Sequence, residues 1–316
     1  MIGLVRAELL RAWSRRVVRV LAVAVAISIF VSLAIATYNT SRHPNGEAYE
    51  TARQACLDGQ LVPASEIPRR YHGDLAAYCA DRIRPEYYGA SRWRWADLPD
   101  ALTSGTSSIV VLLGVLLGAT LAGADWTAGT MGTLLTWEPR RIRVHLVRLL
   151  VTVAVILVFT VGLQAFLIGV YRVAIAISGT TAGTPPDMGW HLVQIVARVA
   201  AVAAAFGVVA HAVATIGRST VAALGVLFGY LIVIEGFLAG LWTAIQPRLL
   251  IRAAEVVISH QPLVGRTVVT TGPNGDAIVQ SQEVLLSVTG AWVVLAAWVL
   301  VLTAAALLVF RARDVN

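Results

Sequence analysis

Six apolar runs of about twenty residues divide this chain, and the polar links between them are short or rich in arginine. A water-soluble fold does not bury so many runs of that length, whereas a bilayer needs about 20 apolar residues for each helical crossing. The expected architecture is therefore an all-α integral membrane domain over residues 1–316 with about six transmembrane helices. The spans fall at about Val17–Tyr38, Thr106–Ala124, Val144–Val170, Leu192–Ile216, Thr220–Trp242 and Leu286–Phe310. Ala34-Ile35-Ala36 resembles a signal-peptidase site, but the apolar run before it is longer than a signal core, so an uncleaved anchor is expected.

The charges fit the same frame. Only 14% of the residues are charged, and the net charge of +7 comes entirely from arginine, since no lysine occurs. The arginines sit at the ends of the apolar runs rather than in one patch, which argues for a lipid interface and against nucleic acid. Residues 1–16 carry Leu4, Leu9, Leu10 and Trp13 at helical spacing with arginines between them, the pattern of an interfacial amphipathic helix. With this end inside, Arg140, Arg141, Arg143, Arg148, Arg218, Arg311 and Arg313 also fall inside. The turn Ser178–Met188, outside, has no arginine. Both termini are then expected on the cytoplasmic side of a bacterial cell membrane.

Residues 39–104 form a large extracytoplasmic loop with nine acids and eight arginines. Trp93, Trp95, Tyr87 and Tyr88 near its end suit the headgroup layer. Cys56 and Cys79 both lie in it; they either form a disulfide, closing a loop of about 24 residues worth roughly 3 kcal/mol, or remain two buried thiols. Residues 243–286 are too polar to cross and read as an extracytoplasmic helix, Pro247–His260, followed by a hairpin. Its strands, Arg266–Thr271 and Ala277–Ser281, flank the turn Gly272-Pro273-Asn274-Gly275-Asp276.

Catalytic signatures are missing from the sequence, including H-E-x-x-H, G-x-S-x-G and the lysine-dependent phosphate loop. No catalytic, cofactor or metal residue is expected, and His211 reads as a packed, hydrogen-bonded group. Intramembrane polar residues are costly and therefore informative. Gln164, Arg198 and Glu235 are candidates for a polar path, with Arg198 and Glu235 at similar depth. The alternative is a structural ion pair with Arg198 snorkelling to the interface. Gly114, Gly118 and Gly123 in the second span favour close helix contact.

The segment 125–143 is too short to span and too apolar for a free loop. Asp125 is expected to open a short helix, Met131, Leu134 and Leu135 give it an apolar edge, and Pro139 ends it before Arg140 and Arg141. Such a segment calls for a protein partner or the membrane surface, the plainer alternative being a connecting interfacial helix. The succession Asp125, Trp126, Gly129-Thr130, Leu134-Leu135 and Pro139-Arg140-Arg141 resembles the cytoplasmic loop of type-2 ABC transporter permeases, especially actinobacterial export permeases. The span order and the basic N-terminal helix are also similar. Asp125 stands where that family usually has Glu, and the loop after the first span is larger.

The resemblance implies a coupling helix in which Asp125, Thr130, Met131, Leu134, Leu135, Arg140 and Arg141 engage a separate ABC ATPase subunit. That subunit would hold ATP and Mg, and a second permease copy or a homologous permease would complete the membrane core. This chain would bring no cofactor of its own. The competing reading is a non-transport sensor or assembly module that binds a partner through its extracytoplasmic loop.

Overall fold

Large apolar side chains lie exposed on the outside of this protein, and several polar ones are buried in its otherwise apolar core. On the long helix of the third apolar run, Val158 is 70% exposed while Gln164 is 1% exposed. A computed structural model describes residues 2–39, 46–60, 75–83, 88, 93–181, 183–271 and 277–312. Tyr87, Arg313 and the turn 272–276 lie outside the described residues.

The helices are α1 (Ile2–Ser14), α2 (Arg16–Asn39), α3 (Gly46–Leu57), α4 (Leu75–Arg82), α5 (Leu98–Thr103), α6 (Gly105–Thr127), α7 (Thr130–Trp137), α8 (Arg141–Ser178), α9 (Met188–Gly217) and α10 (Thr220–Gly229). α10 continues through a π-helical stretch, Tyr230–Leu238, into α11 (Ala239–Leu241). Then come α12 (Leu250–Ser259), strands β1 (Leu263–Thr271) and β2 (Ala277–Leu286), and α13 (Val288–Ala312). Five helical stretches among the described residues are long and apolar enough to cross a membrane, and α1 with α2, bent by 54°, makes a sixth if the pair counts as one span. This is a multi-pass helical membrane protein.

The expected boundaries hold to within a few residues for most spans. The third extends from Arg141 to Ser178, well past Val170, because nothing after Val170 breaks the helix until Gly179. The antiparallel hairpin is present and longer than expected, pairing Leu263 with Leu286 at one end and Thr271 with Ala277 at the other. One boundary is corrected: Pro247 does not start α12 but sits inside a 3-10 turn, Thr243–Arg248, and the helix starts at Leu250.

The chain divides into two compact units. One comprises Met1–Ala24, Pro99–Gln164 and Gly189–Asn316; the other comprises Val25–Leu98 and Ala165–Met188. In the second unit the Cys56–Cys79 disulfide joins α3 to α4. It is buried with Ile83 and flanked by Tyr49, Tyr78 and Tyr88. Trp93 and Trp95 pack on Tyr171, whose hydroxyl donates to the Arg94 carbonyl at 3.2 Å.

In the first unit α6 is the central helix, and glycine lets it approach its neighbours. A Cβ on Gly118 would collide with the Gly207 carbonyl of α9, one on Gly114 with the Ala203 carbonyl, and one on Gly123 with Thr220 at the start of α10. In lipid no hydrophobic drive pulls helices together, so close backbone packing of this kind carries their association. α8 turns a polar stripe inward, with His145, Arg148, Thr152, Thr160 and Gln164 buried three, four, eight and four residues apart and Ile156 buried in the longest gap. Leu146, Leu150 and Val161 face outward. Such a stripe requires partners, because a bilayer provides none.

Because Gly118 abuts backbone rather than a movable side chain, Gly118→Leu is expected to destabilise the protein by about 3 kcal/mol or more, the upper end for overpacking. Gly225→Leu, where nothing lies within 4 Å of the added Cβ, should leave the thermal unfolding midpoint in detergent near wild type. Equal midpoints for the two variants would contradict this packing.

Candidate functional site

A carboxylate in the last turn of an apolar helix faces two penalties, desolvation and the negative end of the helix dipole. Asp125 is in that position at the end of α6, 6% exposed. Two guanidinium groups neutralise it. Arg15, at the bend between α1 and α2, reaches Asp125 Oδ1 at 2.7 Å, and Arg148 of α8 binds Oδ2. The same two arginines also donate to α6 carbonyls, Arg15 to Thr120 at 2.7 Å and Arg148 to Leu121 at 2.9 Å. Glu8 of α1 lies 3.9 Å from Arg148 Nε and accepts from Arg11 at 2.8 Å. Three guanidinium groups and two carboxylates thus form one cluster, nearly balanced in charge.

The cluster holds α7 from beneath. Thr130 donates to Asp125 Oδ1 at 3.4 Å, and Arg148 Nη1 approaches Met131 Sδ at 3.4 Å. Gly129, in the left-handed region at φ 68°, turns the chain into α7. Beyond the cluster, Thr152 and His211 Nδ1 are 3.1 Å apart, and the His145 and His211 rings are 5.8 Å apart between α8 and α9. Trp126 packs edge-on to Phe310 and under the Arg218 guanidinium.

Two of the expected coupling residues therefore point the other way. Asp125 does not open the short helix; it ends α6 and is consumed by ion pairs, because a buried carboxylate must be paired. Met131 is 3% exposed and packs inward against Arg148. The surface that α7 presents is made instead by Thr133, Thr136 and Trp137, flanked by the half-buried Leu134 and Leu135. Trp137, 86% exposed, was not singled out in the sequence, although it ends the helix directly before Glu138-Pro139. Thr130 and Arg140 are exposed. Arg141 reaches the Arg311 carbonyl at 3.4 Å, and Arg143 pairs with Glu138 at 3.5 Å.

Gln164, Arg198 and Glu235 each hydrogen-bond to backbone. Among the described residues Arg198 and Glu235 form no ion pair. Arg198 Nε donates to the Gln194 carbonyl, one turn back on its own helix. Both Glu235 oxygens accept from the Ile251 N–H, at 2.9 and 2.7 Å. Glu235 thereby caps the start of α12, which has no side-chain cap of its own. Gln164 donates to the Val196 carbonyl at 3.4 Å. Glu8, Arg11, Arg15 and Arg148 are the residues the sequence reading missed. The available signal was Arg148 itself, a charge one turn inside an apolar run, which calls for a buried acid.

No group of three or more potential metal-ligating side chains is found among the described residues. No protein-family model, curated protein or solved structure matches the chain.

Removing one partner from such a cluster leaves a buried charge uncompensated. Arg148→Met and Asp125→Leu are each expected to destabilise by about 3–5 kcal/mol, and the double variant by less than the sum of the two. Arg15→Gln should cost less, because the Arg15 side chain is 15% exposed against 6% for Arg148. Thermal unfolding in a fixed detergent measures all four variants. Additive losses for Arg148→Met and Asp125→Leu would show that the two side chains do not act as a pair.

Proposed function

We propose that this chain is the membrane-spanning permease subunit of an ATP-binding cassette exporter and that α7 is the handle through which a separate ATPase subunit drives it. The single observation that carries the reading is a short helix with its inner face tied into a buried charge cluster and Trp137 standing 86% exposed on its outer face. An exposed tryptophan on a rigidly seated helix is the kind of anchor that fills a pocket on a protein partner. The loop motif from Trp126 to Arg141 resembles that of type-2 ABC permeases and supports the same reading. So does the absence of lysine, which denies this chain a phosphate loop of its own.

In this reading both termini and α7 are cytoplasmic, and the disulfide-stapled segment and α12 are extracytoplasmic. The host membrane is the bacterial cell membrane. The ATPase holds ATP and Mg, and a second permease copy or a homologous permease completes the transport core. ATP binding biases inward- and outward-facing forms only to the extent that the ATPase grips them with different affinity. A rigid seat under α7 lets that difference reach α6 and α8. The export direction follows from the class that the loop resembles.

Co-purification with the ATPase subunit, expressed together with this chain, tests the assignment. Trp137→Asp and Leu134→Arg are each expected to weaken the complex by about 2 kcal/mol or more, as for an interface anchor. Their unfolding midpoints should stay near wild type. Undiminished complex formation by both variants would remove α7 as the docking surface. Cysteine-accessibility labelling of Thr136→Cys from outside intact cells would do the same.

A further inference from the structure

At the end of α6 away from the charge cluster, a cavity of about 630 Å³ opens toward α12, with Phe206 and Leu231 among its walls. That volume lies within the range of small-molecule sites, about 300–1,000 Å³. Its α6 wall is one stripe that starts at the cap residue Ser104 and continues through Ser107, Ser108, Val111, Leu112 and Val115. The first turn of the stripe is hydroxylic and the following turns are aliphatic, so polarity falls along a length of about 17 Å. Ile251 and Ile258 of α12 continue the apolar part on the facing wall.

The polar end has groups to spare. Ser107 is occupied, donating to the Thr103 and Ser104 carbonyls at 2.8 and 2.6 Å. Ser104 and Ser108 have no side-chain hydrogen bond among the described residues, and both are exposed. Two carboxylates, Asp100 and Glu255, border the cavity. Glu255 is paired with Arg252 at 2.9 Å, whereas Asp100 has no ion-pair partner among the described residues. Among the described residues, Asp100, one turn before Ser104, therefore leaves one unpaired negative charge beside the free hydroxyls. A phosphate or carboxylate head placed there would face Asp100, and the nearby Arg252 is already engaged. An ammonium head would be attracted and could donate to the serine oxygens.

We infer that this cavity binds an amphiphile with a cationic, ammonium-type head and an aliphatic tail. The head lies by Asp100, Ser104 and Ser108, and the tail runs along Val111, Leu112 and Val115. As a substrate site it rests on the exporter reading; as a binding site it needs no ATPase.

The test uses the full chain, without ATPase, in phosphatidylcholine nanodiscs, with tritiated dodecylamine as probe and laurate as the chain-matched anionic competitor. Saturable binding is expected, displaced by unlabelled dodecylamine and not by laurate. Leu112→Trp, at a position already 40% exposed, should fill the cavity and weaken binding about tenfold or more, the effect of losing roughly 1.4 kcal/mol. Asp100→Asn, a substitution at an exposed site, should reduce affinity for the amine severalfold, the scale of one near-surface charge interaction. Uptake no greater than in empty nanodiscs, equal displacement by laurate, or wild-type affinity in both variants would each overturn the proposal. So would absent binding together with a change of oligomeric state in Leu112→Trp, because a second copy would then cover this face. None of these results bears on complex formation through Trp137, and loss of the ATPase assignment would leave amine binding unaffected.

Discussion

Asp125 is the charge around which the first unit is organised. A lone carboxylate at the end of an apolar helix is too costly to keep ionised in a dry interior. It is stabilised here only because Arg15 and Arg148 converge on it from α1–α2 and from α8. Each guanidinium carries further donors and uses them on α6 carbonyls, so the arginines bind the helix end as well as the carboxylate. Buried ion pairs of this kind contribute little net stability against a well-packed apolar substitute. What they contribute is position. With Arg148 also touching Met131 and Thr130 touching Asp125, the seat of α7 follows from the same few contacts.

The elements that could be read from the sequence were those set by local pattern. Twenty-residue apolar runs, a basic amphipathic start, the helix-breaking Pro139 and the flanks of the hairpin each declare themselves within a short window, and the structure keeps them nearly in place. The glycines of α6 were legible for a similar reason: residues without a side chain on a helix in lipid exist to let another backbone approach. What could not be read were partners far apart in the chain. Arg15 and Asp125 are separated by 110 positions, and no periodicity connects them. Local pattern alone therefore attaches Asp125 to the helix that follows it rather than the one it ends.

Met131 and Glu235 show the same limit at shorter range. Met131 lies on an apolar edge that the sequence cannot orient, and Arg148, 17 residues on, draws it inward. Arg198 and Glu235 match in depth and are opposite in sign, which makes a pair a reasonable expectation. Glu235 instead meets the uncapped first turn of α12, formed 16 residues later after the chain has doubled back. A helix start with free N–H groups also offers a carboxylate favourable partners. The π-helical stretch Tyr230–Leu238 in which Glu235 lies is a local irregularity that no hydrophobic pattern announces.

α6 carries hydroxyl and aliphatic walls of a cavity on its first turns and the charge cluster on its last ones, with about 30 Å between Ser104 and Asp125. Between those ends Gly114 and Gly118 press against α9 carbonyls. With no side-chain layer there to deform, displacement at one end is passed along as movement of packed helices rather than lost in local repacking. If a partner grips α7, shifting a population from 1:99 to 99:1 requires about 5.5 kcal/mol of differential affinity. Parting Asp125 from Arg148 in one of the two forms would disfavour that form, because each charge would lose its buried partner. The lower route keeps the cluster closed throughout. Under the proposed exporter function, α1, α7 and the adjoining ends of α6 and α8 would then move as one body, and the change of access would fall at the opposite end of α6.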